Sequence, residues 1–308
     1  MPSFQLARSD AARERLGISM ALLSAILIAM APNAAKIAYQ EGANPLAVVV
    51  LRHVVGAVFV ALILTVRSQW PKNGWPTFRK SAAAGMAQVV AAFGLLGSVA
   101  YIDVSLAALI FYLHPFLISV VESFRGNLRL TPLRLICILG ATAGLTLVLG
   151  VSLEFLNPIG VGLSFVGMAS ATIWVLLGAR LSQEVGPFPA GFYMTVWSII
   201  YLLFLAFAGP YLGVNGHMEF SSSTLGWIAI LGAGATTTLG LILFFVGAVI
   251  IGAGRAALLS LSEPVFAIFL AIILVHEWLT AWQWVGVAVV VGCLVRFETA
   301  DQKMSSTK

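Results

Sequence analysis

Long apolar blocks, separated by short polar stretches marked with proline and glycine, run through this chain from residue 16 to residue 296. A helix that crosses a bilayer needs about 20 predominantly apolar residues. The blocks predict ten such helices, over 16–39, 45–66, 81–101, 104–124 and 132–151, then 160–179, 189–208, 225–249, 256–275 and 279–296. Each block is continuous instead of alternating apolar with polar positions, which predicts helices and not the strands of a barrel. The first block is too long for a signal-peptide core, and it carries Pro32-Asn33. It is expected to remain in the mature protein.

Two segments repeat each other. Ala107-Ala108-Leu109 is followed by Pro115 and Ala256-Ala257-Leu258 by Pro264, an offset of 149 positions (264 − 115). Each copy holds five predicted spans, and an odd number forces the second copy to enter the membrane inverted. The expected fold is therefore all-α and integral to the membrane, with ten spans in two inverted five-helix repeats. The first repeat covers 16–151 and the second 152–297, between short polar tails at 1–15 and 298–308 expected to be mobile and cytoplasmic.

Composition agrees: 60% of the 308 residues are hydrophobic, 9% are charged, and the mean hydropathy is +1.00. With the N-terminus inside, nearly every basic residue falls in a cytoplasmic segment, from Arg8, Arg13 and Arg15 through Arg67, Arg79, Lys80, Arg125, Arg129 and Arg134 to Arg180, Arg255 and Arg296. Positively charged short loops are retained on that side. Lys36 and Arg52 alone lie elsewhere. The net charge of +5 is thus topological, and no nucleic-acid partner is expected. The loop at 67–80 carries four basic residues, whereas its counterpart at 209–224 carries none, as opposite-facing loops should.

These segments, AALIFYLHP and AALLSLSEP, together with Glu277 in LVHEWLTAWQWVGVAVVVG and Arg52 after Pro45, resemble the drug/metabolite transporter superfamily, in its ten-helix EamA-type branch. One position departs from that pattern: Leu128 stands where the family often has a second glutamate after the fourth span. The resemblance implies a secondary carrier of small organic metabolites, such as amino acids or related compounds, working by alternating access. It implies a central path built by the third, fourth, eighth and ninth spans, export as the direction, and a bacterial inner membrane as the location. A membrane subunit or sensor of the same fold, without transport, is the alternative.

Ionisable groups within hydrocarbon are costly and start as functional candidates. Glu263 and His114 each precede a repeat proline and should sit near mid-membrane. Glu263 either meets an amine on the solute or takes up a proton during the cycle, or it is a structural carboxylate bonded to Arg52, His114 or helix-end amides. His114 is its hydrogen-bond partner, a ring against the solute, or an interhelical contact. Pro115, Pro264 and Pro32 are candidate kinks or gates. Pro115 and Pro264 free the carbonyls of Phe111 and Ser260, which are then able to meet solute. Arg52 either grips a solute carboxylate bidentately or forms a structural ion pair. Asn33 and Lys36 are candidates to line the same approach. Gln88, Trp174 and Tyr193 complete the substrate-binding candidates, the two aromatics as stacking surfaces or plain packing groups, with Thr236, Thr237 and Thr238 as weaker polar candidates.

Glu122 and Arg125 stand three apart on one helix surface, a structural or gate pair. Gly140 and Gly144 form a small-residue GxxxG, a candidate homodimer face. Cys137 and Cys293 lie in separate apolar spans and read as free packing thiols. No nucleophile with its base, metal cluster or phosphate loop is visible, so no enzyme, cofactor or metal is expected.

Overall fold

The computed structural model describes residues 2–71, 74–98, 101–102, 104–150, 157–209, 217–275 and 280–305. Among them there are twelve α-helices and no strand: α1 (Pro2–Gln40), α2 (Pro45–Val66), α3 (Gly74–Ser98), α4 (Val104–Phe111), α5 (His114–Phe124), α6 (Pro132–Leu149), α7 (Pro158–Val185), α8 (Pro187–Ala208), α9 (Thr224–Ile251), α10 (Ala253–Leu259), α11 (Glu263–Val275) and α12 (Ala281–Ser305). A 3-10 turn, Ser260–Ser262, joins α10 to α11. Among the described residues, seven helical stretches are long and apolar enough to cross a membrane, one of them the α4–α5 pair. The sequence-predicted spans at 104–124 and 256–275 are each broken in two. The first helix runs back to Pro2 and the last on to Ser305, beyond the apolar blocks.

Helix starts are written locally. Asn44, Thr131 and Asn157 accept a hydrogen bond from the first turn of α2, α6 and α7, each followed by proline at the first helical position. Ser223 does the same for α9. Such a cap stabilises a helix by about 1 kcal/mol, and proline there gives up a donor that had no partner anyway. Two connections are a single residue long. Gly186, between α7 and α8, has φ 91° and ψ 153°, and Gly252, between α9 and α10, has φ 88° and ψ 148°. Only glycine occupies that region without steric cost.

The helices pack with a two-fold plan. The contact of α1 with α9 is matched by α7 with α3, α2 with α9 by α8 with α3, and α1 with α11 by α7 with α5, while α2 meets α8 and α6 meets α12. Exchanging α1–α6 for α7–α12 therefore preserves the main contacts. The equivalent helices α6 and α12 run antiparallel, with Gly140 against Cys293, Gly144 against Gly286 and Val290, and the Gln283 amide donating to the Val148 carbonyl at 3.2 Å. Small residues set the close approaches: a Cβ on Gly94 would lie 2.5 Å from the Gly167 Cα, and one on Gly240 would lie 2.7 Å from Ile28. Backbones this near depend on glycine, as is common between membrane helices. The pair Gly140 and Gly144 is consumed by α12 of the same chain, so this GxxxG is not an open face for a second copy.

Candidate functional site

The two broken helices meet across the repeats. In the first, α4 ends at Phe111, Tyr112 and Leu113 form a turn, and α5 starts at His114 with Pro115 behind it. Pro115 has no N–H to offer the Phe111 carbonyl, and the buried His114 ring takes that place, with Nδ1 2.9 Å from the Phe111 oxygen. In the second, the chain narrows to a 3-10 turn, and the Glu263 N–H donates to the Ser260 carbonyl. Both carbonyls that the prolines were expected to free for solute thus have internal partners.

Glu263 opens α11, where the helix dipole favours a negative group. Its partner is Tyr112, whose hydroxyl donates to Glu263 Oε1 at 3.0 Å. This bond ties the break of one repeat to the break of the other. Around it lie Phe111 and His114, their ring centroids 5.1 Å apart, with the Tyr112 ring 6.5 Å from His114. Among the described residues no ion pair joins Glu263 to Arg52. Sequence reasoning missed Tyr112. Its signal was a phenol two residues before His114 within a repeated segment, but the symmetry-related position, 149 further on, is Leu261, so comparing the copies drew attention away from it.

Asn33 lies beside this pair. It is buried on α1, and its amide donates to the Ala29 carbonyl of its own helix at 3.3 Å and to the Ala267 carbonyl at 3.4 Å, one turn along α11 from Glu263. Arg52 is half-buried on α2, and its Nε is buried without a hydrogen-bond partner. Its carbonyl faces Gly234 of α9. Three residues along α9 from Gly234, the Thr237 hydroxyl is likewise buried without a partner, as is the indole N–H of Trp174 on α7. The Trp174 ring stands at right angles to Phe245, centroids 6.1 Å apart.

The remaining predicted residues are placed elsewhere. The Gln88 side-chain oxygen accepts a hydrogen bond from the Ser198 hydroxyl at 3.0 Å, in the contact of α3 with α8. Tyr193 joins an aromatic cluster with Phe78 and Phe192, next to Trp70 at the end of α2. Glu122 is buried, bonded to Arg125 at 3.3 Å as its spacing predicted, and also to the Asn127 amide at 3.0 Å. Pro32 falls within α1, but its side chain and that of Lys36 lie outside the described residues, as does Glu277. No cluster of metal-ligand type occurs among the described residues.

The chain matches the EamA-like transporter family twice, over residues 15–150 and 158–296. It belongs to that family. The two matched blocks coincide with the two halves that the packing exchanges, α1–α6 and α7–α12, and with the repeat seen at the 149 offset. An EamA-like transporter is a multi-pass membrane transporter of the drug/metabolite transporter superfamily. A crystal structure of another protein superposes with a TM-score of 0.75 at 17% identity, over 94% of this chain and 98% of that one. At that identity the likeness is one of fold. No curated protein matches the chain.

Proposed function

We propose that this EamA-like transporter is a ten-span secondary carrier that exports small organic solutes, amino acids or related compounds among them, across a bacterial inner membrane. The ten spans are α1, α2, α3, α4 with α5, α6, α7, α8, α9, α10 with α11, and α12, with the second five inverted relative to the first and both termini cytoplasmic. The positive-inside distribution of arginine and lysine supports that orientation. The observation that carries the reading is the Tyr112–Glu263 hydrogen bond, a polar link between two interrupted helices, one from each repeat. Interrupted helices at a repeat interface are where carriers of inverted architecture hold their cargo.

In this reading the Glu263 carboxylate meets an amine or hydroxyl of the solute, with Tyr112 holding it in place and His114 forming the wall. Arg52 engages a carboxylate, since its guanidinium carries a donor with no internal partner and unsatisfied buried donors are costly. Asn33 fixes α1 against α11 at the same level. Trp174, Gln88 and Tyr193 line the path rather than its centre, and Pro115 and Pro264 permit the breaks. Rocking of one repeat against the other then exposes the centre to each side in turn, with a proton on Glu263 as the coupling ion and a single chain or a homodimer as the working unit.

The test is release of a labelled metabolite extract from proteoliposomes, compared between the natural protein, its Glu263→Gln variant and protein-free vesicles. Release of one chemical class through the natural protein, and its loss in the variant, is the expected result. No release by the natural protein at either acidic or neutral pH overturns the carrier reading in favour of a sensor or subunit.

A further inference from the structure

The two ends of the helix assembly are packed by different chemistry. At the end carrying the N-terminus, Arg255 of α10 forms an ion pair with Glu14 of α1 at 2.9 Å, with the two side chains only 13% and 28% exposed. Beside it, Gly254 brings α10 close to α5: a Cβ there would lie 3.2 Å from Leu128 and 3.6 Å from Glu122. Glu122 is itself held by Arg125 and Asn127. An ion pair therefore joins α1 of one repeat to α10 of the other, and the carbon atoms of Glu122 and Leu128 pack beside it.

The two-fold relation gives the opposite end for comparison. Arg255 corresponds to Leu106 (255 − 149), and the contact of α1 with α10 corresponds to that of α7 with α4. Among the described residues the packing there is apolar: Ile102, Leu106, Ala107 and Ile110 cluster with Leu95 and Val161. A Cβ on Gly160 would meet Tyr101 and Ile102 at 2.8 Å. One fold thus adds a partly buried ion pair to apolar packing at one end, whereas the described residues packed at the other are apolar. Charge attraction is screened by salt, whereas apolar burial is not weakened that way.

We infer that Glu14–Arg255 is an ionic latch that holds the N-terminal end of the path shut, so that ionic strength and charge at this pair bias which side the carrier opens to. The inference rests on the carrier reading, but its test needs no solute. Hydrogen–deuterium exchange is followed by mass spectrometry on the full chain in lipid nanodiscs, for the natural protein, Glu14→Gln, Arg255→Gln and the charge-exchanged double variant Glu14→Arg/Arg255→Glu.

The expected result for each single variant is faster exchange, by roughly fivefold, in α10 and the adjoining turn of α1, because exchange there follows local opening. Exchange in α6 and α12 stays unchanged, which separates a released latch from general unfolding, and the double variant returns toward the natural rates. Raising salt from about 0.05 M to about 0.5 M accelerates α10 in the natural protein and not in Glu14→Gln. Unchanged α10 exchange in both single variants, or a double variant that exchanges as fast as the singles, overturns the latch. A failed flux assay with this pattern intact would remove the carrier reading and leave the latch as a property of the fold.

Discussion

Tyr112 and Glu263, 3.0 Å apart through Oη and Oε1, come from opposite repeats and from the turn positions of the two broken helices. At the first break the Phe111 carbonyl is met by the His114 ring and at the second the Ser260 carbonyl by the Glu263 N–H, and this side-chain bond spans the two breaks. A hydrogen bond to a charged group contributes about 1.5–3 kcal/mol. Tyr112→Phe keeps the ring and removes only the donor, so we expect folded protein at normal yield and flux reduced by about tenfold or more. Unaltered flux in proteoliposomes would reduce this bond to a packing detail.

Asn33 should matter to stability more than to chemistry. Its amide bridges α1 to the Ala267 carbonyl of α11, a neutral hydrogen bond contributing about 1 kcal/mol. Asn33→Ala is expected to lower the thermal midpoint of the purified protein by a few degrees, and Asn33→Gln to recover part of that loss. Midpoints indistinguishable from that of the natural protein would show that the amide carries no net stability.

The helix contacts make a sharper prediction. Gly94 faces the Gly167 backbone at a distance where no Cβ fits, whereas Gly232 has nothing within 4 Å. Gly94→Ala should destabilise by about 1–3 kcal/mol through overpacking. Gly232→Ala should be neutral or slightly stabilising, since alanine favours helix. Thermal unfolding in one detergent measures both, and equal midpoints for the two variants would contradict the packing described for α3 and α7.

Arg52 gives a prediction about cargo. With Nε unpartnered within the protein, Arg52→Gln should impair carboxylate-bearing solutes much more than neutral or cationic ones. Competition of labelled efflux by a panel of zwitterionic, anionic and cationic metabolites reads this directly. An equal loss for every class would mark the arginine as structural.

The interhelical bond from Ser198 to Gln88 offers a control. Ser198→Ala removes the Gln88 partner in the contact of α3 with α8, leaving an amide oxygen without that donor at a cost of about 1–3 kcal/mol. We expect lower stability but an unchanged order of solute preference. A shift in preference, measured with the same competition panel, would move Gln88 to the centre of the path.

Much of this molecule is legible along the chain because the bilayer imposes a one-dimensional rule. A helix in hydrocarbon satisfies its own backbone and must be apolar for about 20 residues, so the apolar blocks declared themselves, and the prolines at 45 and 132 marked the starts of α2 and α6. The duplication was legible because Pro115 and Pro264 recur at a constant offset. The pairing of Glu122 with Arg125 followed from helical spacing alone. What the chain did not declare is where its polar groups go once helices assemble. His114 turns to its own Phe111 carbonyl, Gln88 to Ser198, and Gly140 with Gly144 to α12 of the same chain instead of a second copy. Tyr112 with Glu263 and Glu14 with Arg255 are 151 and 241 positions apart (263 − 112; 255 − 14). Such pairs obey no local period, because they are made by packing between the repeats, and only the tertiary structure decides which side chains that packing brings within a hydrogen bond.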